Sequence, residues 1–219
     1  MRKRVIVAVV CAGLLLGASA YAQTTDFFEL VKTGTLQSVQ AAIIKGADVN
    51  ARDSDDWTPL MDAADYNMNP LVITALLKAG ADVNAWDTLA MTALNWAAMH
   101  NQNPEVISTL LKAGADPEAR DIGGDTPLMF AAWYNPNPEV VSTLLRAGAD
   151  PKAQDNWGET ALLLAARYNK NSADVTALLK AGADAKAKDK LGKTAFDYAQ
   201  ANEKLKDTDA YRQLQEASQ

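Results

Sequence analysis

DIGGDTPLMFAAWYNPNPEVVSTLLRAGADPKAQD, residues 121–155, is one complete structural unit, and most of the 219-residue chain consists of variants of it. The triplet Gly-Ala-Asp begins at Gly46, Gly80, Gly114, Gly148 and Gly182, a period of 34 residues without a slip. Thr-Pro/Ala-Leu/Phe keeps the same register at Thr58, Thr92, Thr126, Thr160 and Thr194. A fixed period in this range marks a solenoid, because one unit cannot bury its apolar face alone and neighbours must stack on it.

Inside the unit, Thr126 caps a helix whose first position is Pro127, where the missing N–H costs nothing. Ala131 and Ala132 keep that helix thin, so that neighbouring units approach closely. Asn135 is expected to end it in the left-handed conformation, which Asn tolerates best after Gly. Asn137 then caps a second helix, with Pro138 at its start and Glu139 in the positive first turn. Asn69-Pro70 and Asn103-Pro104 repeat the device, and Asn171 keeps the cap without the proline. Val141, Leu144 and Leu145 share a core face at helical spacing. Gly148 stops the helix, and the stretch from Ala149 to Gly158 forms a projecting hairpin.

Thr-Pro-Leu-x-x-Ala-Ala followed by Leu-Leu-x-x-Gly-Ala-Asp resembles the ankyrin repeat, whose usual period is 33. The resemblance spans residues 24–200. It implies an all-α solenoid of helix-loop-helix units with projecting β-hairpin loops, stacked into a curve with a concave face. Full repeats are expected at 53–86, 87–120, 121–154 and 155–188, between an amino-terminal cap at 24–52 and a carboxy-terminal cap at 189–219. The first cap would carry Phe27, Phe28, Leu30 and Val31 on a helix started by Thr25-Asp26, followed by a second helix from Leu36 to Lys45. The last unit keeps Ala195 and Ala199 but turns polar at Lys204, Lys206, Arg212, Gln213 and Glu216. The residue by which this period exceeds the family's belongs in the loop at Asn135. Two departures stand out. The hairpin Gly, present at Gly124, Gly158 and Gly192, is Asp56 and Ala90 in the first two full repeats, whose hairpins are expected to be more mobile. The His of the family's Thr-Pro-Leu-His segment is Met61, Asn95, Met129, Leu163 or Asp197, so apolar contacts are expected to take over its loop-tying role.

Residues 1–22 are a different kind of sequence. Arg2-Lys3-Arg4, an apolar run from Val5 to Ala20, and the small-x-small site Ala20-Tyr21-Ala22 together form a secretory signal peptide, with cleavage expected after Ala22. The run is shorter than the ~20 residues that span a bilayer. Cys11, the single cysteine, follows Val9-Val10 and lacks the small residue that precedes a lipidated cysteine. The exported protein is therefore expected in a bacterial periplasm or secreted, without disulfides and without a membrane anchor after cleavage. The formal charge of −6, more negative once the three leader cations leave, repels nucleic acid and anionic lipid.

Catalytic inventory is missing. The sequence has no Gly-x-Ser-x-Gly, phosphate loop or His-Glu-x-x-His, and its one histidine, His100, stands where other repeats have Tyr66, Tyr134 and Tyr168. No enzyme activity, cofactor or metal is expected. The acidic group Asp53, Asp55, Asp56, Asp62 and Asp65 raises a calcium site, but no glutamate completes a loop and Asp53 is the turn aspartate of every repeat, which favours a solvated acidic end.

The resemblance implies that partners are held by hairpin tips and by the exposed face of the first helices. Four of five tryptophans, Trp57, Trp86, Trp133 and Trp157, fall in those variable columns, and Trp96 takes an inner-face position on its helix. Interfaces use Trp and Tyr as anchors, so the distribution points to a protein-binding groove. Candidate binding residues are Trp57, Trp86, Met91, Trp96, Met99, His100, Trp133, Tyr134, Trp157, Arg167 and Tyr168, with Trp86, Met99, Trp133, Tyr134 and Trp157 as anchors. The tyrosines recur at one position and serve equally well as packing of the repeat. The groove runs from acidic (Asp55, Asp56, Asp62, Asp65) to basic (Arg167, Lys188, Lys190, Lys193), which would orient a partner. The expected product is a monomeric scaffold for one unidentified protein, regulating or protecting a periplasmic enzyme. A secreted effector acting on a host protein, and a small-ligand or metal binder at the acidic end with His100, are the alternatives.

Overall fold

A computed structural model describes residues 26–168 and 171–219; the expected signal peptide, Cys11 and Thr25 lie outside the described residues. Among the described residues twelve helices follow one another: α1 (26–33), α2 (Leu36–Ile44), α3 (Pro59–Tyr66), α4 (Pro70–Lys78), α5 (Ala93–His100), α6 (Pro104–Lys112), α7 (Pro127–Tyr134), α8 (Pro138–Arg146), α9 (Ala161–Tyr168), α10 (Ser172–Lys180), α11 (Ala195–Ala199) and α12 (Asp209–Ala217). They form two layers. Helices α3, α5, α7, α9 and α11 pack side by side, and α2, α4, α6, α8, α10 and α12 form the second row behind them. No helix among the described residues is long and apolar enough to cross a membrane.

Helices of eight or nine residues are too short to hold in water alone. Their stability comes from capping and stacking. The Ala pairs at 63–64, 97–98, 131–132 and 165–166 are fully buried, which brings adjacent first helices into direct contact. Behind them Val72, Ile73 and Leu76, Val106, Ile107 and Leu110, and Val140, Val141 and Leu144 fill the space between layers. Leu145 is only partly buried.

At the position that lacks the family's histidine, Met61, Met129 and Leu163 are buried apolar side chains. Each N-cap threonine oxygen accepts the N–H three residues on, and at Thr58, Thr92, Thr126 and Thr194 the side chain there accepts the threonine's own N–H in return, which Leu163 cannot do for Thr160. Asn95 Oδ1 does so at 2.9 Å and Asp197 Oδ2 at 2.8 Å, while Met61 and Met129 offer sulfur at 3.4 Å. Asn95 also donates to Ala119 O, at the far end of the same repeat, at 3.2 Å. Buried apolar side chains thus fill three of the five positions, and a reciprocal cap forms at four.

Asn135 likewise departs from expectation. Its backbone is extended (φ −76°, ψ 126°), as at Asn67 and Asn101, and not left-handed. The reason is that its side chain reaches backwards. Asn135 Nδ2 donates to Ala98 O at 2.9 Å and Asn101 O at 3.0 Å in the preceding repeat, and its Oδ1 accepts Asn137 N–H at 3.0 Å. Asn101 makes the same three bonds to Ala64, Asn67 and Asn103, and Asn67 makes them to Val31, Gly34 and Asn69. Asn202 extends the series to Ala166 O. The second asparagine of these Asn-x-Asn segments caps the next helix, and two of them reach back too: Asn137 Nδ2 donates to Gln102 O and Asn103 Nδ2 to Met68 O, both at 2.7 Å.

The hairpins contain no strand among the described residues, only an isolated antiparallel bridge between Trp86 and Thr92. An aspartate shapes each one instead: Asp87 Oδ1 accepts N–H from Leu89 at 2.8 Å and Met91 at 2.9 Å, and Asp53, Asp121, Asp155 and Asp189 repeat this. Asp56 and Ala90 adopt φ of 63° and 60°, the same left-handed turn that Gly124 makes at 84°, but with a Cβ to accommodate.

Two substitutions separate these effects. Asn101→Ala removes a buried amide and orphans two carbonyls, and is expected to cost about 2–4 kcal/mol in urea unfolding, against about 0.5–1 for Asn84→Ala on the exposed hairpins. Ala90→Gly is expected to gain about 0.5–1 kcal/mol by relieving the left-handed backbone, measured the same way.

Candidate protein-binding groove

The hairpin tips are tied into a continuous edge. Thr88 N–H donates to Asp55 O at 3.2 Å, Ile122 to Leu89 O at 3.0 Å, Asn156 to Gly123 O at 2.9 Å and Lys190 to Trp157 O at 2.9 Å. Arg52 and Arg120 cross to the next hairpin, their Nη1 atoms donating to Trp86 O at 2.8 Å and Gln154 O at 2.7 Å. Backbone order at the tips leaves side chains in water. Trp86 is 60% exposed and Trp157 67%, and Leu89, Ile122 and Leu191 stand out beside them.

Below the tips, the first helices contribute rings that touch one another. Trp57 packs on Trp96 with centroids 4.3 Å apart, and Trp96 Nε1 donates to Asp87 Oδ2 at 2.9 Å. Trp133 stacks on Tyr134 (4.5 Å) and on Tyr168 (4.9 Å). The Arg167 guanidinium lies over Tyr168 at 4.7 Å and Tyr198 at 4.8 Å, and its Nη1 pairs with Glu159 at 2.9 Å. Aromatic and cationic groups therefore run unbroken from Tyr134 to Tyr198. Trp57, Trp96, Met99 and Trp133 are half-buried, and Tyr134 and Tyr168 present about 40% of their surface, 44% and 39%.

Met91 does not reach this surface. It is 3% exposed, because its N–H and C=O both close the Asp87 turn and its side chain faces inward beneath the hairpin. His100 is accessible on one edge, and its Nδ1 meets Asp65 Oδ1 at 2.6 Å. Nor do the five N-terminal aspartates converge. Asp53 spends Oδ1 on Asp55 and Trp57 N–H, Asp62 is buried 3.6 Å from Lys32 Nζ, and Asp65 is engaged by His100. No group of three such ligands able to hold a metal occurs among the described residues.

Sequence reasoning passed over Lys32, which stands over the Tyr66 ring at 5.7 Å, and Asp125, Glu159 and Tyr198 in the groove floor. Asp125 Oδ1 is buried without a hydrogen-bond partner among the described residues. One repeat on, the equivalent carboxylate, Glu159, has Arg167; here Trp133 occupies the arginine's place in the register. Burial, then the charges of Asp121, Asp155 and Glu159, push the Asp125 carboxyl up to about 7. Burial also pushes Asp62 up to about 7, against the pull of Lys32, and raises Asp65 and Glu159. At Tyr198, burial and then the hydrogen bond to Asp189 push the phenol up to about 12.

A family model described as ankyrin repeats (3 copies) matches residues 27–121 and 124–216, and another, ankyrin repeats (many copies), matches residues 102–145. A search of curated proteins finds no match to the chain.

A carboxyl that binds its proton more tightly folded than unfolded stabilises the fold fully below its unfolded pKa and loses that contribution as pH rises through the folded value. Asp62 and Asp125 should therefore make melting temperature fall between pH 4 and about pH 7. Asp125→Asn is expected to flatten that slope and raise melting at pH 8 by about 2–4 °C, with little change at pH 4, read by circular dichroism.

Proposed function

The chain belongs to the ankyrin-repeat family, and from that premise we propose that it is an exported, non-catalytic scaffold holding one protein partner in the groove between Trp86 and Tyr168. Ankyrin repeats are generally protein–protein interaction modules. The observation that carries the reading is the exposure of Trp86 and Trp157, 60% and 67%, on tips whose backbones are already hydrogen-bonded in place. At about 25 cal/mol per Å², tryptophan left in water forgoes most of the 1.5–3 kcal/mol that burying a large apolar side chain yields. A partner recovers it without ordering the loops, since the ladder has ordered them. The half-buried Trp57, Trp96 and Trp133 act differently: they brace the groove and present edges, while the exposed pair supplies anchors.

Export is supported by residues 1–22, whose basic start, apolar run and Ala20-Tyr21-Ala22 fit a cleaved leader. The partner would then be a periplasmic or extracellular protein, and holding an enzyme there would regulate or protect it. Capture from the periplasmic fraction and from the medium, with the purified chain as bait, tests both. Trp86→Ala and Trp157→Ala together are expected to weaken the captured protein by at least about 100-fold, as loss of two anchors would. Leu71→Ala, an exposed apolar residue on α4, is expected to leave it unchanged. Retention of every captured protein by the double variant would overturn the reading.

A further inference from the structure

At the C-terminal end of this groove the chemistry is specific enough to name what enters it. A cleft of about 400 Å³ opens between the fourth and fifth hairpins, lined by Trp157, Glu159, Arg167, Asp189, Lys190 and Leu191. Its rim is apolar, with Trp157 and Leu191 67% and 77% exposed. Its floor is charged, and both carboxylates there are already committed. Asp189 Oδ1 accepts the N–H groups of Leu191 and Lys193 at 2.9 Å, and its Oδ2 accepts the Tyr198 hydroxyl. Glu159 takes Arg167 Nη1.

The cation is not used up in the same way. A guanidinium carries five N–H donors in a rigid fork, and Glu159 engages Arg167 through Nη1. The rings of Tyr168 and Tyr198 lie against the guanidinium, so its orientation is set before anything binds. About a third of its side chain, 36%, remains open to solvent. Lys190 adds an exposed ammonium in the cleft wall, and Lys188 and Lys193 are exposed on the same hairpin. A positioned fork with donors to spare, beside a second cation and between apolar posts, is complementary to a carboxylate carried next to a bulky apolar group.

We infer that this cleft receives an acidic side chain of the partner, its carboxylate on Arg167 and Lys190 and the adjoining apolar residue between Trp157 and Leu191. The inference rests on the groove reading and deepens it: the partner's segment lies with its acidic residue toward the fifth hairpin, away from the exposed Asp55 of the first.

The test is a titration of the full chain with capped tripeptides, followed by NMR at the Arg167 Nε–H and Trp157 indole N–H. Acetyl-Leu-Glu-Leu-amide is expected to shift both signals and to bind at least about tenfold more tightly than the Gln and Lys versions. Lys190→Gln, a surface change, is expected to weaken the Glu probe and leave the Gln probe unaffected. Arg167→Gln is expected to abolish the preference for Glu. Equal binding of the three probes, shifts at Trp86 in place of Trp157, or no shift up to about 10 mM would each overturn the inference. So would binding of the free acid acetyl-Leu-Gln-Leu in place of the Glu amide, which would assign the site to a chain terminus. If the probes fail while capture still depends on Trp86 and Trp157, the carboxylate site alone falls; if that dependence is lost, the groove reading falls.

Discussion

A buried carboxamide at Asn67, Asn101 and Asn135 fixes where each of these units sits on the one before it. Asn101, with no exposed surface, donates both amide hydrogens to backbone carbonyls of the preceding repeat and accepts an N–H of its own loop. An amide buried without those partners would cost several kcal/mol, so a unit shifted along the stack loses two bonds at a place water cannot repair. Alanine pairs let the helices close to that distance, and the asparagines allow only one register at it. The period of 34 residues is the sequence-level trace of this constraint, since the donor and its acceptors recur at separations of 34 and 37.

The hairpin edge repeats the principle at the surface. Asp53, Asp87, Asp121, Asp155 and Asp189 set each turn, and one N–H per tip joins it to its neighbour. With backbone geometry held by these groups, the side chains at the positions between them are left out of the tie. That is where Trp86, Leu89, Ile122, Trp157 and Leu191 appear in water. The ring series from Tyr134 to Tyr198 is intermediate in kind: its members hold one another and leave edges exposed, so it stiffens the groove as it lines it.

Electrostatics along the groove follows from which partner each repeat happens to supply. Asp62 has Lys32 from the first cap, Asp65 has His100, and Glu159 has Arg167. Asp125 has Trp133 in the corresponding register and keeps one oxygen without a hydrogen-bond partner among the described residues. Burial there opposes ionisation of the carboxyl, in the middle of the face that the exposed tryptophans flank.

The repeat, its two helices, their caps and the alanine-lined inner layer were legible in the sequence, because each depends on residues within one period and recurs five times. Asn135 shows the limit. Its identity announced a special role, but a local argument assigned it a left-handed turn; its acceptors lie in another repeat, and only stacking brings them within 3.0 Å. The same holds for Met91, whose surface position by count became interior once the Asp87 turn closed over it. Column reading found the tryptophans and set Trp96 apart on an inner face, but could not separate Trp86 and Trp157, which face water, from Trp57 and Trp133, which spend half their surface on neighbours. The sequence by itself determined the unit and its spacing, since helix capping and periodicity are short-range. Tertiary structure alone decided which side chains of adjacent units meet, which fixed the buried carboxylates, the ring series and the cleft at Arg167, because those contacts join residues about one period apart.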